Sequence, residues 1–382
     1  MSQGYIDYAT RTRDIRPRGS QFLTALVSPL VILTKPFKVK SFIVLTLTVV
    51  YIAGSMVIFF QWVNPTLTGQ VDQHIAADST VYIGFADALR SRNADPILLA
   101  SLFTFPNTLL CPVALALLFK STFSQMVADY LMFFLALALL RKSVSFAMGP
   151  FLALLLLNAT TTISLLSVNK EIVDLLAISL FLFARYKRHG FLLLLAILLA
   201  AFNRFEVAVV MLCYVFANSK LNPFRQKRAV ALIALVFALS VLLPLALSKD
   251  LNQRFEEAEG GHTIALLDAL EMHYMYWAAV IPKTAECLFG ELLSFYSRLQ
   301  IYQDGSDLAN SYIILSNNVA NVVVLCVLMW RRRLTVSEDL TYFAFLGWII
   351  MSIALVIQPR YIYFAYVLLC LEATRISDCS PA

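Results

Sequence analysis

Long apolar runs punctuated by short basic loops set the pattern of this chain. The first clear run is Ser41 to Val63, and the second is Ile97 to Phe119. Further runs follow at 126–140, 145–165, 172–184, 191–217, 229–247, 313–330, 341–357 and 361–373. About 20 apolar residues in a helix cross the ~30 Å hydrocarbon layer of a bilayer. The pattern therefore predicts an all-α polytopic transmembrane helical bundle of roughly 10–11 spans, in a single integral membrane domain over residues 1–382. Pro106, Asn107 and Pro112 fall inside the second run and predict a broken or kinked helix there, because proline removes a backbone hydrogen bond and clashes with the preceding turn.

Between the runs, Arg141-Lys142, Arg185 to His189, Lys220 to Arg228 and Arg331 to Arg333 form basic loops. Lys and Arg gather on the cytoplasmic side of membrane proteins. With Lys35, Lys38 and Lys40 ahead of the first span, this predicts a cytoplasmic N-terminus. Residues 1–40 then form a cytoplasmic or interfacial segment. It includes Gln21 to Thr34, apolar but too short to span. The polar stretches 64–95 and 249–312 become external loops, the second and larger carrying an amphipathic helix over Ala279 to Leu299. One conflict stands in this topology. The loops at 185–189 and 220–228 are both basic, yet one apolar stretch separates them. Either that stretch crosses once and one basic loop is external, or it breaks at Asn203-Arg204 into a re-entrant pair. Re-entrant backbone is tolerated at that depth only where protein or water covers it.

Composition supports the membrane assignment and narrows the rest. Of 382 residues, 60% are hydrophobic and 14% charged, against about a quarter charged in a soluble domain. This excludes a globular domain with one anchor. The net charge of +6 reports orientation, and no basic stripe on a soluble domain points to nucleic acid. The six Cys show no CxxC spacing and the four His are scattered, so neither a disulfide framework nor a metal site is expected, and no cofactor is implied. The polar, basic start predicts no cleavable signal peptide.

Candidate chemistry concentrates where charge meets apolar sequence. Arg204 lies near the middle of the apolar stretch Phe191 to Ala217. A charge at that depth costs at least ~2.5 kcal/mol and normally faces protein or a wet cavity. Arg204 either snorkels to an interface or faces an internal cavity, where its guanidinium suits bidentate capture of phosphate or carboxylate. Glu206 is two residues away, so on a helix the two point to different sides and each needs its own partner. Lys170, beside Glu171, is either a solvated loop charge or a point charge for phosphate oriented by Glu171. Arg360 follows Pro359 at a helix break, with Tyr361, Tyr363 and Tyr366 close behind; it is an interfacial anchor or a second cationic clamp. Asp78 either caps a helix or serves as a general base for a sugar hydroxyl, with Asp72 as its rival. His262 and His273 sit in the large polar loop, solvated or poised for proton transfer near neutral pH.

These residues carry a resemblance. Asp78-x-x-x-Tyr82, after the first span, resembles integral membrane glycosyltransferases of the GT-C type. Leu157-Asn158, the run Ser164 to Ile172 and the later Arg204 resemble bacterial O-antigen and capsular polysaccharide polymerases. Ile281 to Gly290 and Pro359-Arg360-Tyr361 are similar to those polymerases too. The resemblance implies polymerisation of undecaprenyl-pyrophosphate-linked oligosaccharide units at the outer face of the bacterial inner membrane. It implies Asp78 or Asp72 as the base and Arg204, Arg360 and Lys170 as the pyrophosphate clamp. Glu171, Glu206, Tyr361, Tyr363, His262 and His273 would support them. Lipid-linked oligosaccharides and membrane lipids are the implied partners, with a chain-length regulator as a further candidate. Two departures favour a metal-independent site: Arg204 is followed by Phe205-Glu206 and not by Pro, and the Asp78 motif lacks a second adjacent acid. The competing expectations are a transferase that moves a single sugar from a polyprenyl phosphate, and a transporter or flippase for a lipid-linked or anionic substrate.

Overall fold

The computed structural model describes residues 39–69, 77–91, 100, 102–103, 109–256, 269–270, 273–301, 305–352 and 359–376. The chain divides into two units, Met1–Tyr51 and Ile52–Ala382. In the first, the described residues 39–51 are helical, the start of α1 (Val39–Ile58). All else concerns the second unit. There α1 runs on through a π turn, Phe59–Val63, into Asn64–Leu67. The helices that follow are α2 (Ala77–Arg90), α3 (Leu110–Leu118), α4 (Thr122–Ser143), α5 (Met148–Leu157), α6 (Ala159–Leu166) and α7 (Lys170–Lys187). After these come α8 (Gly190–Asn203), α9 (Phe205–Ala217), α10 (Arg228–Glu256), α11 (Tyr276–Ile301), α12 (Gly305–Trp330), α13 (Asp339–Met351) and α14 (Tyr363–Thr374). A 3-10 turn, Pro359–Ile362, precedes α14. Among the described residues no strand forms, and one isolated bridge joins Phe146 to Arg375. The protein is an all-α bundle.

Its centre is α7 and α14, which touch each other. Every residue of α14 is buried, and so are most of α7. A helix apolar nearly all round belongs in a bundle's interior, and α14 fits that rule; α7 is apolar along its middle and carries its charges in its first turns and its last. α4, α6 and α8 pack on α7, while α5, α12 and α13 pack on α14. Gly347 of α13 permits a close approach: a Cβ there would lie 3.0 Å from the Phe364 ring of α14.

Helix ends sort into two groups. At one end, Asp339, opening α13, takes Arg228 at 2.8 Å and Arg185 at 3.9 Å, and accepts a hydrogen bond from Tyr214 at 2.5 Å. Its neighbour Glu338 pairs with Arg375 at 3.2 Å, and Arg375 and Arg333 both meet Glu372. The amides of Ile376 and Ala147 bond to Ser145 and Thr374. These contacts place the last turns of α4, α7, α9, α12 and α14 together with the first turns of α5, α10 and α13. The basic loops cluster at this end.

The apolar stretch 191–217 breaks at Arg204, whose backbone is extended (φ −152°, ψ 102°). α7 and α8 are joined by a left-handed Arg188 and His189, so α8 starts at the basic end. α9 ends there too, through Tyr214. α8 and α9 are therefore a hairpin whose bend, Asn203-Arg204, points to the opposite end, and both flanking basic loops share one end. The stretch thus breaks at Asn203-Arg204 and turns back, as the second of the two alternatives requires. At 1.5 Å per residue each arm is about 20 Å long, short of the ~30 Å hydrocarbon layer. In native membranes, Lys187→Cys and Arg225→Cys in a cysteine-free background are expected to react with an impermeant maleimide from the same face. Reaction from opposite faces would refute the hairpin.

A second break lies at Asn158, where α5 and α6 meet at 85°. Asn158 caps α6 by accepting from the Thr160 amide. α12 clamps the bend: Asn317 donates to Thr160 Oγ1 at 2.8 Å and Ser316 to the Leu157 carbonyl at 3.0 Å. Such breaks shorten the helices. Among the described residues three are long and apolar enough to cross a membrane, Thr48–Leu67, Thr122–Ser143 and Ile313–Trp330, or four with the bent pair. Five others are apolar but shorter, so the roughly 10–11 full spans expected from run length are not matched one for one. The stretches expected as loops are largely helical as well, with α2 within 64–95 and α11 within 249–312. α11 has the expected amphipathic spacing, burying Tyr276, Ala279, Val280, Lys283 and Cys287. It packs on α10, α12 and α13.

Candidate functional site

The end of the bundle opposite the basic loops gathers the start of α7, the α8–α9 bend, the 3-10 turn and the start of α2. Each is positioned by a specific polar contact. Ser167 to Asn169 are extended, and Asn169 caps α7 by accepting from the Lys170 amide at 3.0 Å. This turn sets Lys170, Glu171 and Asp174 on the first turns of one helix, all buried. Asn203, ending α8, donates to the Lys170 carbonyl at 2.8 Å and to Asp174 Oδ1 at 2.7 Å. The helix ends there without proline or glycine, because Asn203 and Arg204 are held on α7.

Arg204 is only 7% exposed. Its guanidinium meets Glu171 Oε1 at 3.0 Å and Asp174 Oδ2 at 3.5 Å, and donates to the Arg360 carbonyl at 3.2 Å. Burial excludes the snorkelling alternative. The partners it needs are supplied by the protein: two carboxylates and a carbonyl converge on one planar fork, the geometry arginine favours. Ser164 donates to the other Glu171 oxygen at 3.3 Å. Lys170 lies within electrostatic reach of Asp174, Glu206 and Glu171. Lys170 and Arg204 thus face Glu171 and Asp174, two charges of each sign, and half-buried Glu206 stands beside them at the start of α9.

Arg360, in the 3-10 turn, bridges this buried group to a more open pair. Its backbone carbonyl takes Arg204, and its guanidinium meets Asp78 Oδ2 at 2.5 Å. The two side chains are 33% and 38% exposed. Ser79 fixes α2 here by donating to the Val168 carbonyl at 2.7 Å. Tyr82, one turn on, is buried; burial, with the Asp78 carboxylate adding to it, pushes its phenol up, so it stays neutral. Tyr363, opening α14, accepts from Thr161 at 3.2 Å.

Of the candidates read from the sequence, Asp78, Lys170, Glu171, Arg204, Arg360, Glu206 and Tyr363 come together at this end. Glu171 is paired with Arg204, whereas the sequence pattern set it beside Lys170 as that residue's orienting group. His273 is exposed in the turn before α11, with no described contact to this group. Asp72, His262 and the side chain of Tyr361 lie outside the described residues. Asp174, Asn203, Ser164, Thr161 and Ser79 were missed. Asp174 carried a signal: it is the one charge in the apolar run Ile172 to Ala184, and lies four residues after Lys170, on the same helix face. Among the described residues no group of three or more His, Cys, Asp or Glu side chains is arranged to hold a metal ion.

The arrangement offers a rigid, charge-balanced base and, above it, a carboxylate and a guanidinium side by side and reachable from outside. No family model matches the chain, and no curated protein or solved structure does either.

Proposed function

We propose that the protein is a membrane glycosyltransferase that extends glycans carried on undecaprenyl pyrophosphate, acting at the outer face of the bacterial inner membrane. The observation that carries this is the half-exposed Asp78–Arg360 pair, seated on the buried Arg204 cluster at the end away from the basic loops. The positive-inside rule assigns the basic end to the cytoplasm, which sets the pair on the outer side.

In this scheme an acceptor sugar hydroxyl attacks the anomeric carbon of the donor glycan. Asp78 accepts the hydroxyl proton as the new glycosidic bond forms. The bond from the anomeric carbon to the pyrophosphate oxygen breaks, and the pyrophosphate leaves with its electron pair. Arg360 stabilises the charge gathering there, as preorganised cations do where water is excluded. Arg204 acts from beneath: it fixes the Arg360 backbone through the carbonyl bond. The donor's pyrophosphate displaces Asp78 from Arg360, which frees the base as the clamp fills.

Purified protein in nanodiscs, supplied with lipid-linked repeat units, is expected to yield a ladder of longer lipid-linked glycans. Addition of one sugar from a polyprenyl monophosphate, with no ladder, would instead establish the single-sugar transferase. The broken pair α5–α6 and the charged bend at Arg204 also fit a transporter, whose sites form at interrupted helices. Movement of the lipid-linked unit across liposomes without any new glycosidic bond would establish that alternative.

A further inference from the structure

We infer that the cleft between α10, α11 and α13 holds the isoprenoid tail of the lipid-linked substrate, an assignment that rests on the transferase function proposed above. The cleft has a volume of about 560 Å³, within the 300–1,000 Å³ usual for ligand sites. Its walls are apolar and rich in rings, with Phe237 on α10, Trp277 and Phe289 on α11 and Trp348 on α13. Thr284 is the one hydroxyl in the lining, and it is already bonded to Ser352 at 2.9 Å. The lining carries no charged side chain, and beyond the Thr284 hydroxyl its polar groups are the indole N–H of Trp277 and Trp348, so the cleft suits hydrocarbon and not a charged head group.

What singles out a substrate from bulk lipid is where the cleft leads. Leu288, Phe289 and Trp348 of its wall pack against Ile362, in one cluster with Cys287 and Leu325. Ile362 ends the 3-10 turn that carries Arg360 two residues earlier. The apolar packing of the cleft wall therefore continues to the turn that carries Arg360. An amphiphile with a long branched tail and a diphosphate head matches both parts at once. Entry is from the side: Trp277 and Phe237 are exposed at the rim, where a bilayer would meet them.

The test uses the full-length protein in nanodiscs and a diazirine-bearing undecaprenyl diphosphate. Photolabelling is expected on peptides of α10, α11 and α13, with undecaprenyl diphosphate competing it away and dioleoylphosphatidylglycerol failing to. Ala285 is an exposed wall residue, so Ala285→Trp fills the cleft without disturbing the core. It is expected to cut the labelling at least tenfold while leaving the thermal midpoint unchanged. Saturable labelling confined to other helices overturns the cleft assignment and leaves the transferase proposal standing. So does undiminished labelling of the cleft in Ala285→Trp. Equal competition by phosphatidylglycerol also overturns it, by making the occupant ordinary lipid. If undecaprenyl diphosphate binds nowhere saturably, the transferase proposal fails and the cleft assignment goes with it.

Discussion

Arg204→Ala is expected to cost the protein its fold before it costs activity. The guanidinium is buried and meets Glu171, Asp174 and the Arg360 carbonyl. Removing it leaves two buried carboxylates facing Lys170 alone, since Asn203 supplies hydrogen bonds but no charge. Breaking a buried pair by deleting one partner typically destabilises by roughly 3–5 kcal/mol, because the other charge stays buried and uncompensated. It also removes the donor that ties the 3-10 turn to the α8–α9 bend. The expected result is a large fall in thermal midpoint in detergent, with much of the protein lost to aggregation on size exclusion. Arg204→Lys keeps the charge but not the fork, and one ammonium does not reproduce the planar geometry that meets three acceptors; an intermediate loss is expected.

The same reasoning makes a charge-balanced repair informative. Arg204→Met with Glu171→Gln removes one charge of each sign and leaves Asp174 with Lys170 and Asn203. Replacing a buried ion pair by neutral groups of similar volume is often tolerated, so the double variant is expected to recover most of the midpoint lost in Arg204→Ala. If Arg204→Ala keeps the wild-type midpoint and loses only turnover, Arg204 is a ligand-facing cation and the buried network is not what holds this end together.

What was legible in the sequence followed from rules that act locally. Apolar run length identified a helical membrane protein, and the embedded Arg204 and the Pro359-Arg360 step marked two of the places where charge enters the bundle. The basic loops at 185–189 and 220–228 posed the right question, since one crossing would put one of them on the wrong side. What the sequence lacked was the cause of the break. Asn203-Arg204 contains neither proline nor glycine, and the helix ends there because both side chains bond to α7, a contact of 29 to 33 residues' separation. The partner of Arg204 was hidden for a similar reason. Glu206 is near in sequence and Glu171 far, yet Glu171 is the one brought into contact by the α7–α8 hairpin. The pairing of Asp78 with Arg360 spans 282 positions, beyond any periodicity argument. Run length also does not show where a stretch is cut: among the described residues Asn158 and Arg204 divide two apolar stretches into shorter helices.

The Asp78–Arg360 pair yields the second large effect, and here stability and chemistry separate. Both side chains are about a third exposed, and ion pairs so open to solvent contribute about 0–1 kcal/mol. Asp78→Asn is therefore expected to leave the thermal midpoint nearly unchanged. Loss of a positioned general base lowers turnover by about a hundred- to ten-thousand-fold, so kcat for glycan extension is expected to fall in that range. KM is expected to move the other way. In the proposed reaction the pyrophosphate takes the guanidinium that Asp78 occupies in the resting protein. A neutral amide in its place competes far less for that cation, so KM should stay level or drop. Arg360→Gln has no such compensation: the clamp is gone, KM rises and kcat falls together. A purely structural ion pair would instead give matching changes in midpoint for the two variants, with no divergence of KM. Wild-type kcat in Asp78→Asn would remove this carboxylate from the chemistry. A KM that rose equally in both variants would show that the pair acts as a unit in binding and is not opened by the substrate.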